Sequence, residues 1–168
     1  MKVKIREYLP DDHGACVALS RQLAEHHADI YEVSSDVIKP QDTWLDELMA
    51  KEEFAGFWVA EIEGKVAGFC GLFATGEEGE IEPVVVANGA RDKGIGTALV
   101  KYVTEEAAKQ NVRYLSIKPV ARNKRAIDLF IRLGFDIVGH VDLFQDLSPK
   151  NDRTWKTGLV IHGNKVQY

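Results

Sequence analysis

Residues 84–103 read VVVANGARDKGIGTALVKYV, and no other stretch of the 168-residue chain constrains the fold as strongly. Val84, Val85 and Val86 favour a strand, because β-branched side chains pack well on a pleated surface. Asn88 and Gly89 break that strand, and Gly94 and Gly96 set a tight turn. From Ile95 and Thr97 onward the residues read as helix. A strand running through a glycine-rich turn into a helix leaves backbone N–H groups without internal partners, beside a partial positive charge. An anion complements that arrangement, and glycines let a bulky phosphate approach the amides. Arg91 and Lys93 add charge, and Asp92 is placed to cap the helix.

Two nucleotide-binding motifs fail on residues that their chemistry requires. A dinucleotide fingerprint starting at Gly94 needs a third glycine at position 99, which is Leu99. A P-loop starting at Gly89 needs lysine where Ile95 stands.

The rest of the chain reads as one α/β domain spanning residues 1–168, with strands and helices alternating in its second half and a hairpin in its first. VKIRE, residues 3–7, alternates like a first strand. Asp11 or Asp12 then caps a helix carrying Cys16, Leu19 and Leu23, which fades near His26 and His27. Residues 28–41 look irregular, and a short helix is expected over 43–51. GFWVAEIEGKVAGFCGLFA is a hairpin turning at Glu63-Gly64. EIEPVVV, RYLSIKP, FDIVGHVDLF and RTWKTGLVI read as further strands, the last two separated by a Ser148-Pro149 turn. NKRAIDLFIRLGF is a helix closed by Gly134.

The net charge of −5 argues against nucleic acid as a partner and suits a cationic substrate. No apolar run reaches the ~18 residues of a membrane helix, and the basic start MKVKIREYLPDD lacks the apolar core of a signal peptide. Cys16 and Cys70 read as buried free thiols. A cytoplasmic protein without a membrane partner is expected. The five histidines show no metal-ligand spacing, so no metal site is expected. His26-His27 reads as surface, while Trp44, Trp58 and Trp155 are core or cleft wall.

Two motifs in order give the chain a resemblance to the GNAT superfamily of acetyl-CoA-dependent N-acetyltransferases. The first is [RQ]-x-x-G-x-[GA] after a strand, met by Arg91, Gly94 and Gly96. The second is N-x-x-A-x-x-L-[YF]-x-x-x-G-F, met by Asn123, Ala126, Leu129, Phe130, Gly134 and Phe135. The resemblance implies a mixed, mostly antiparallel sheet of about seven strands flanked by helices. It also implies a sheet splayed where the strand ending at Val86 parts from YLSIKP. Acetyl-CoA is the implied cosubstrate, its pyrophosphate on the amides of Arg91, Asp92, Lys93, Gly94, Ile95, Gly96 and Thr97. Its pantetheine arm would pair with Val84 and Val86, and Asn123 would reach it from across the gap, besides capping its own helix. Dimers are common in the family, so a homodimer stays open.

Transfer to an amine needs a base, a donor for the thioester oxygen and a route for the departing thiolate. Glu80 and Glu82 are the base candidates, sharing a face with Val84 and Val86 in a regular strand, although a bulge would change that parity. The backbone N–H of Val84 or Val85 is the oxyanion donor. Phe130 stands where many family members carry a tyrosine near the sulfur, and phenylalanine donates no proton. Ser116 and Tyr114 are substitutes, but a thiolate of pKa ~8.5 also leaves unaided. A rival reading is a coenzyme A-binding sensor that has lost catalysis, with Phe130 as its support.

Overall fold

The computed structural model describes residues 2–34, 43–147 and 155–168. Strand β1 is Lys4–Glu7, and helix α1 runs from His13 to Tyr31. Helix α2 is Trp44–Met49, followed by β2 (Phe54–Ile62), β3 (Lys65–Thr75) and β4 (Glu78–Val86). Helix α3 (Ile95–Lys109), β5 (Tyr114–Ile117) and α4 (Lys124–Arg132) follow, and β6 (Leu159–Ile161) and β7 (Asn164–Val166) close the chain.

The strands β1 to β5 form one sheet in sequence order, antiparallel except for the parallel pair β4–β5. The β2–β3 turn is the expected one: Glu63 and Gly64 both have positive φ, +50° and +77°, which a two-residue hairpin turn demands. Side chains alternate across the sheet and build two cores. Trp58, Cys70, Leu72 and Ile81 pack with Ile95, Leu99 and Val103 of α3 and with Phe130 of α4. On the other face Phe57, Val59, Phe69, Phe73 and Val85 pack with Cys16 and Leu19 of α1 and with Leu45 and Leu48 of α2. Both cysteines are free and buried, and burial pushes the Cys16 thiol up to about 12.

Several expectations need correcting. The sheet has five strands among the described residues, not seven, and β6 and β7 form a separate hairpin. Residues 135–147 form no strand, and Ile137 and Leu143 are 91% and 76% exposed. Their β-branched composition favours a strand only beside a partner edge. Strand β5 has just four residues, and Pro119, which has no N–H to give a ladder, follows closely. Among the described residues of RTWKTGLVI only 159–161 form a strand, and they turn back through His162-Gly163, again at positive φ. The Ser148-Pro149 turn lies outside the described residues. Helix α1 does not fade at His26-His27 but continues to Tyr31, ending where Glu32 adopts φ +57°.

Asp12 is not the side-chain cap expected for α1. Its carboxylate accepts from Arg6 Nη1 at 2.6 Å and Nη2 at 2.9 Å, and from the Leu9 N–H at 2.9 Å. The Arg6 bonds hold the Asp12 carboxyl below the usual aspartate range, against the opposing pull of burial. A carboxyl depressed in the folded state stabilises above the unfolded pKa and loses that contribution as pH falls through the folded one. Asp12→Asn is therefore expected to cost roughly 1.5–3 kcal/mol at neutral pH, the range for hydrogen bonds to charged groups. The gap from wild type, measured by urea unfolding, should narrow once the pH drops below about 4.

Candidate active site

The opening in the sheet follows from how β4 is paired on each side. Toward β5 the ladder runs from Glu78↔Tyr114 to Ile81↔Ile117 and stops there. Beyond it, residues 82–86 have no strand neighbour on that side among the described residues. Backbone groups alternate in direction along a strand. The Ala87 N–H donates back to the Ala67 carbonyl on the β3 side. Counting back from Ala87 by that alternation, the Val85 N–H also points at β3, while those of Val86 and Val84 point into the gap. Of the two expected oxyanion donors, Val84 is thus the one facing the opening.

Toward β3 the strand carries a bulge. Cys70 lies opposite Val84 and Leu72 opposite Ile81, so β4 spends three steps where β3 spends two. The extra residue falls at Glu82-Pro83, opposite Gly71. A Cβ at Gly71 would collide with the Glu82 carbonyl oxygen, which explains glycine there. The bulge reverses the alternation. Ile81 packs in the same core as Val84 and Val86, an odd number of residues away. Glu80 lies opposite Phe73, so it shares the α1 face with Phe73 and Val85. The expectation that Glu80 shares a face with Val84 and Val86 is therefore overturned.

A cleft of about 600 Å³ passes through the opening and reaches both sides of the sheet. Glu80, Glu82 and Val84 line it from β4, and Asn123, Ala126 and Phe130 from the α4 side. Ser20, Leu23 and His27 of α1 and Trp44 of α2 complete the opposite wall. Glu80 is ion-paired with Lys118 at 2.5 Å, an interaction that raises the Lys118 pKa. Asn123 caps α4, its Oδ1 accepting from the Ala126 N–H at 3.1 Å, so its amide N–H groups are what it has left for a ligand. Phe130 is buried edge-on to Phe135, with ring centres 6.4 Å apart. Of the suggested proton donors, Ser116 donates to the Gly79 carbonyl at 3.1 Å, and Tyr114 is 68% exposed; neither lines the cleft.

The glycine turn lies at the end of β4. Asp92 does not cap α3 but pairs with Arg125 at 2.7 Å, and Gly94 occupies the cap position at φ +79° with no side-chain hydrogen bond. Lys93 donates to the Gly89 carbonyl at 2.8 Å, and Arg91 Nε to the Val86 carbonyl at 3.4 Å. Burial lowers the Arg91 pKa, and Arg125 adds to the effect while Asp92 opposes it. A Cβ on Gly96 would meet Leu129 Cδ2 at 3.5 Å and Val86 Cγ2 at 3.7 Å, ordinary contacts. The fold itself therefore leaves room for alanine at 96. Positive charge, an uncapped helix start and bare glycines fit a diphosphate, and the turn follows directly on β4, whose residues 80–84 line the cleft.

Histidine and tryptophan positions depart from the sequence reading or resolve it. His27 is a wall of the cleft rather than surface, and burial pushes its imidazole below the ordinary value. It lies one helical turn from Leu23, a spacing that shows only once α1 is carried past residue 27. The tryptophans separate into three roles. Trp58 is core and Trp44 is cleft wall, while Trp155 stacks on Arg122, whose guanidinium carbon is 5.7 Å from that ring and 5.1 Å from Tyr31. Arg122 precedes Asn123 on one wall, and Tyr31 follows His27 by one turn on the other, so this contact ties the two walls together.

Phe130→Tyr is expected to change the rate of thiol release less than about tenfold, because a thiolate leaves without help. A buried hydroxyl without a partner costs about 1–3 kcal/mol. The coenzyme A sulfur would supply that partner, so the thermal shift on adding coenzyme A should be larger in the variant.

Comparison with known proteins agrees with this geometry. The model of the acetyltransferase (GNAT) family matches residues 20–135, more than half of the chain. An uncharacterized N-acetyltransferase of Methanocaldococcus jannaschii is 34% identical over 100 residues, which cover 55% of this chain and 44% of that protein. The chain thus spans less than half the length of that relative. Thialysine N-epsilon-acetyltransferase of Sus scrofa is 31% identical over 146 residues, covering 79% of this chain and 83% of that enzyme. Among solved structures, AAC(6')-Iy in complex with a bisubstrate analogue of coenzyme A superposes with a TM-score of 0.67. At 16% identity, covering 88% of this chain and all of that one, the likeness is one of fold.

Proposed function

Since the chain belongs to the GNAT family of acetyltransferases, we propose that it moves an acetyl group from acetyl-CoA to a primary amine, on a small molecule or a polypeptide, by direct attack. The observation that carries this reading is the cleft running through the splayed sheet, lined by Glu80 and Val84 of β4, the strand that leads into the uncapped glycine turn. The amides of residues 91–97 would hold the pyrophosphate, with Arg91 and Lys93 adding charge. The outward edges of Val84 and Val86 would pair with the pantetheine amides, and the Asn123 amide would meet that arm from the far wall. The Val84 N–H would face the thioester oxygen as it gains charge. Glu80 and Glu82 would draw the acceptor ammonium into the cleft and pass its proton on through water.

The test is thiol release from acetyl-CoA with three amines in turn: thialysine, an alanine-initiated peptide and an aminoglycoside. Release with at least one, and an acetylated amine seen by mass spectrometry, is the expected result. Coenzyme A binding by calorimetry with no release for any amine would replace this reading with the sensor one.

A further inference from the structure

The β4 bulge places Glu80 on the face of the sheet that α1 covers, and His27 of α1 lines the same cleft. The charged groups that share the cleft with that imidazole are Glu80 and Glu82 from β4 and Lys118 from the segment after β5. Lys118 is held by Glu80. On its own helix the neighbour is His26, with ring centres 6.4 Å apart. His26 feels Arg91 and Arg125, so it belongs to the phosphate side. His27 is thus the one histidine among the described residues that lines the cleft.

We propose that His27 is the catalytic residue on which the proton of the acceptor ammonium comes to rest during acetyl transfer. The inference rests on the acetyl-transfer reading and supplies what that reading lacks, a group suited to holding a proton near neutral pH. Carboxylates as a class ionise near ~4 and hold a proton briefly at pH 7, whereas imidazole ionises near ~6.5. Rate assistance is greatest when the base is matched to the working pH. Burial lowers the His27 pKa further, so the imidazole arrives neutral and able to accept. The ammonium gives one proton, directly or through water, to the unprotonated ring nitrogen of His27. The freed lone pair forms the C–N bond at the thioester carbonyl carbon, and the carbonyl electron pair moves to oxygen. When it returns, the C–S bond breaks and the sulfur leaves as thiolate. The second proton lost from nitrogen goes to that thiolate, and His27 later releases its own to solvent.

The experiment measures kcat/KM against pH for wild type, His27→Gln and His27→Asn, with coenzyme A affinity by calorimetry as the check on folding. Two alkylamine acceptors are compared. One is an ordinary amine, protonated at neutral pH, and the other is a fluorinated analogue that is already unprotonated there. Wild type should rise with pH through a limb below about 6.5 and then level. Both variants should keep coenzyme A affinity within about twofold, lose that limb, and fall about 100-fold with the ordinary amine. With the fluorinated amine they should come within about threefold of wild type. An equal loss with both amines, or an unchanged pH profile, would overturn the assignment of His27 while leaving the transferase reading intact. A wild type that turns over neither amine overturns the transferase reading, and the assignment with it.

Discussion

Gly96→Val is expected to weaken coenzyme A binding by at least about 100-fold, while Gly96→Ala leaves the fold as stable as wild type or more so. The two substitutions separate the needs of the fold from those of the ligand. Gly96 lies in the first turn of α3, and a Cβ there makes only ordinary contacts with Leu129 and Val86. Glycine in a helix is less favourable than alanine by roughly 0.5–1 kcal/mol. If only the fold mattered, glycine would be a poor choice. Amides that an anion reaches closely, as proposed for this turn, would explain its presence. Gly94 is a less clean test. Its φ of +79° strains any L side chain, so Gly94→Val mixes backbone strain with lost binding. Calorimetric titration with coenzyme A and urea unfolding of the Gly96 variants read the two effects separately. Unchanged affinity in Gly96→Val would remove the phosphate cradle from this turn.

The second large effect is expected at Glu80. Glu80→Gln keeps the shape and hydrogen bonding of the side chain but removes the charge that holds Lys118 and would draw an ammonium. A loss of about 100-fold in kcat/KM at neutral pH is expected, from the lower part of the range for acid–base assistance. It should shrink as the pH approaches the pKa of the acceptor amine, where free amine no longer needs to be generated. Glu82→Gln is expected to lose less, because Glu82 is exposed within the bulge whereas the Glu80 side chain is only 24% exposed. Wild-type rates for both variants and for the double variant across pH 6 to 9 would place the proton route elsewhere.

How far the site was legible in the sequence differs by residue, and the reason is the range of the interactions. The glycine turn, the Glu63-Gly64 hairpin and the Gly134 stop are set by backbone conformations that only a few residue types adopt. Gly94 and Gly134 indeed have φ of +79° and +97°. The pairing that stops at Ile81 and Ile117 was reached through the family resemblance, since no local rule says where two strands part. The direction of Glu80 was not legible, because one extra residue in β4 reverses it. Pro83 and Gly71 are the traces the bulge leaves in the sequence, but they sit on different strands and become a signal only once paired. His27 was missed for a related reason. α1 is weakly amphipathic, and the cleft that gives His27 its surroundings is assembled from β4, the segment after β5 and α4. Residues 135–147 show the reverse error, where composition promised a strand that has no edge to join.

The bulge in β4 has a consequence for how such a protein can change over generations. Because one surplus residue separates Glu80 from Val84, the strand addresses two different audiences. Glu80, before it, faces whatever enters beside α1 and α2, whereas Val84 and Val86, after it, face what lies along α3 and α4. In an unbroken strand Glu80 would share one face with Val84 and Val86, and an exchange suited to a new acceptor would disturb the proposed grip on the donor. With the phase reset between them, Glu80 and the pair Val84 and Val86 can drift independently. A lineage could therefore try new recipients at position 80 without renegotiating the donor grip proposed for positions 84 and 86.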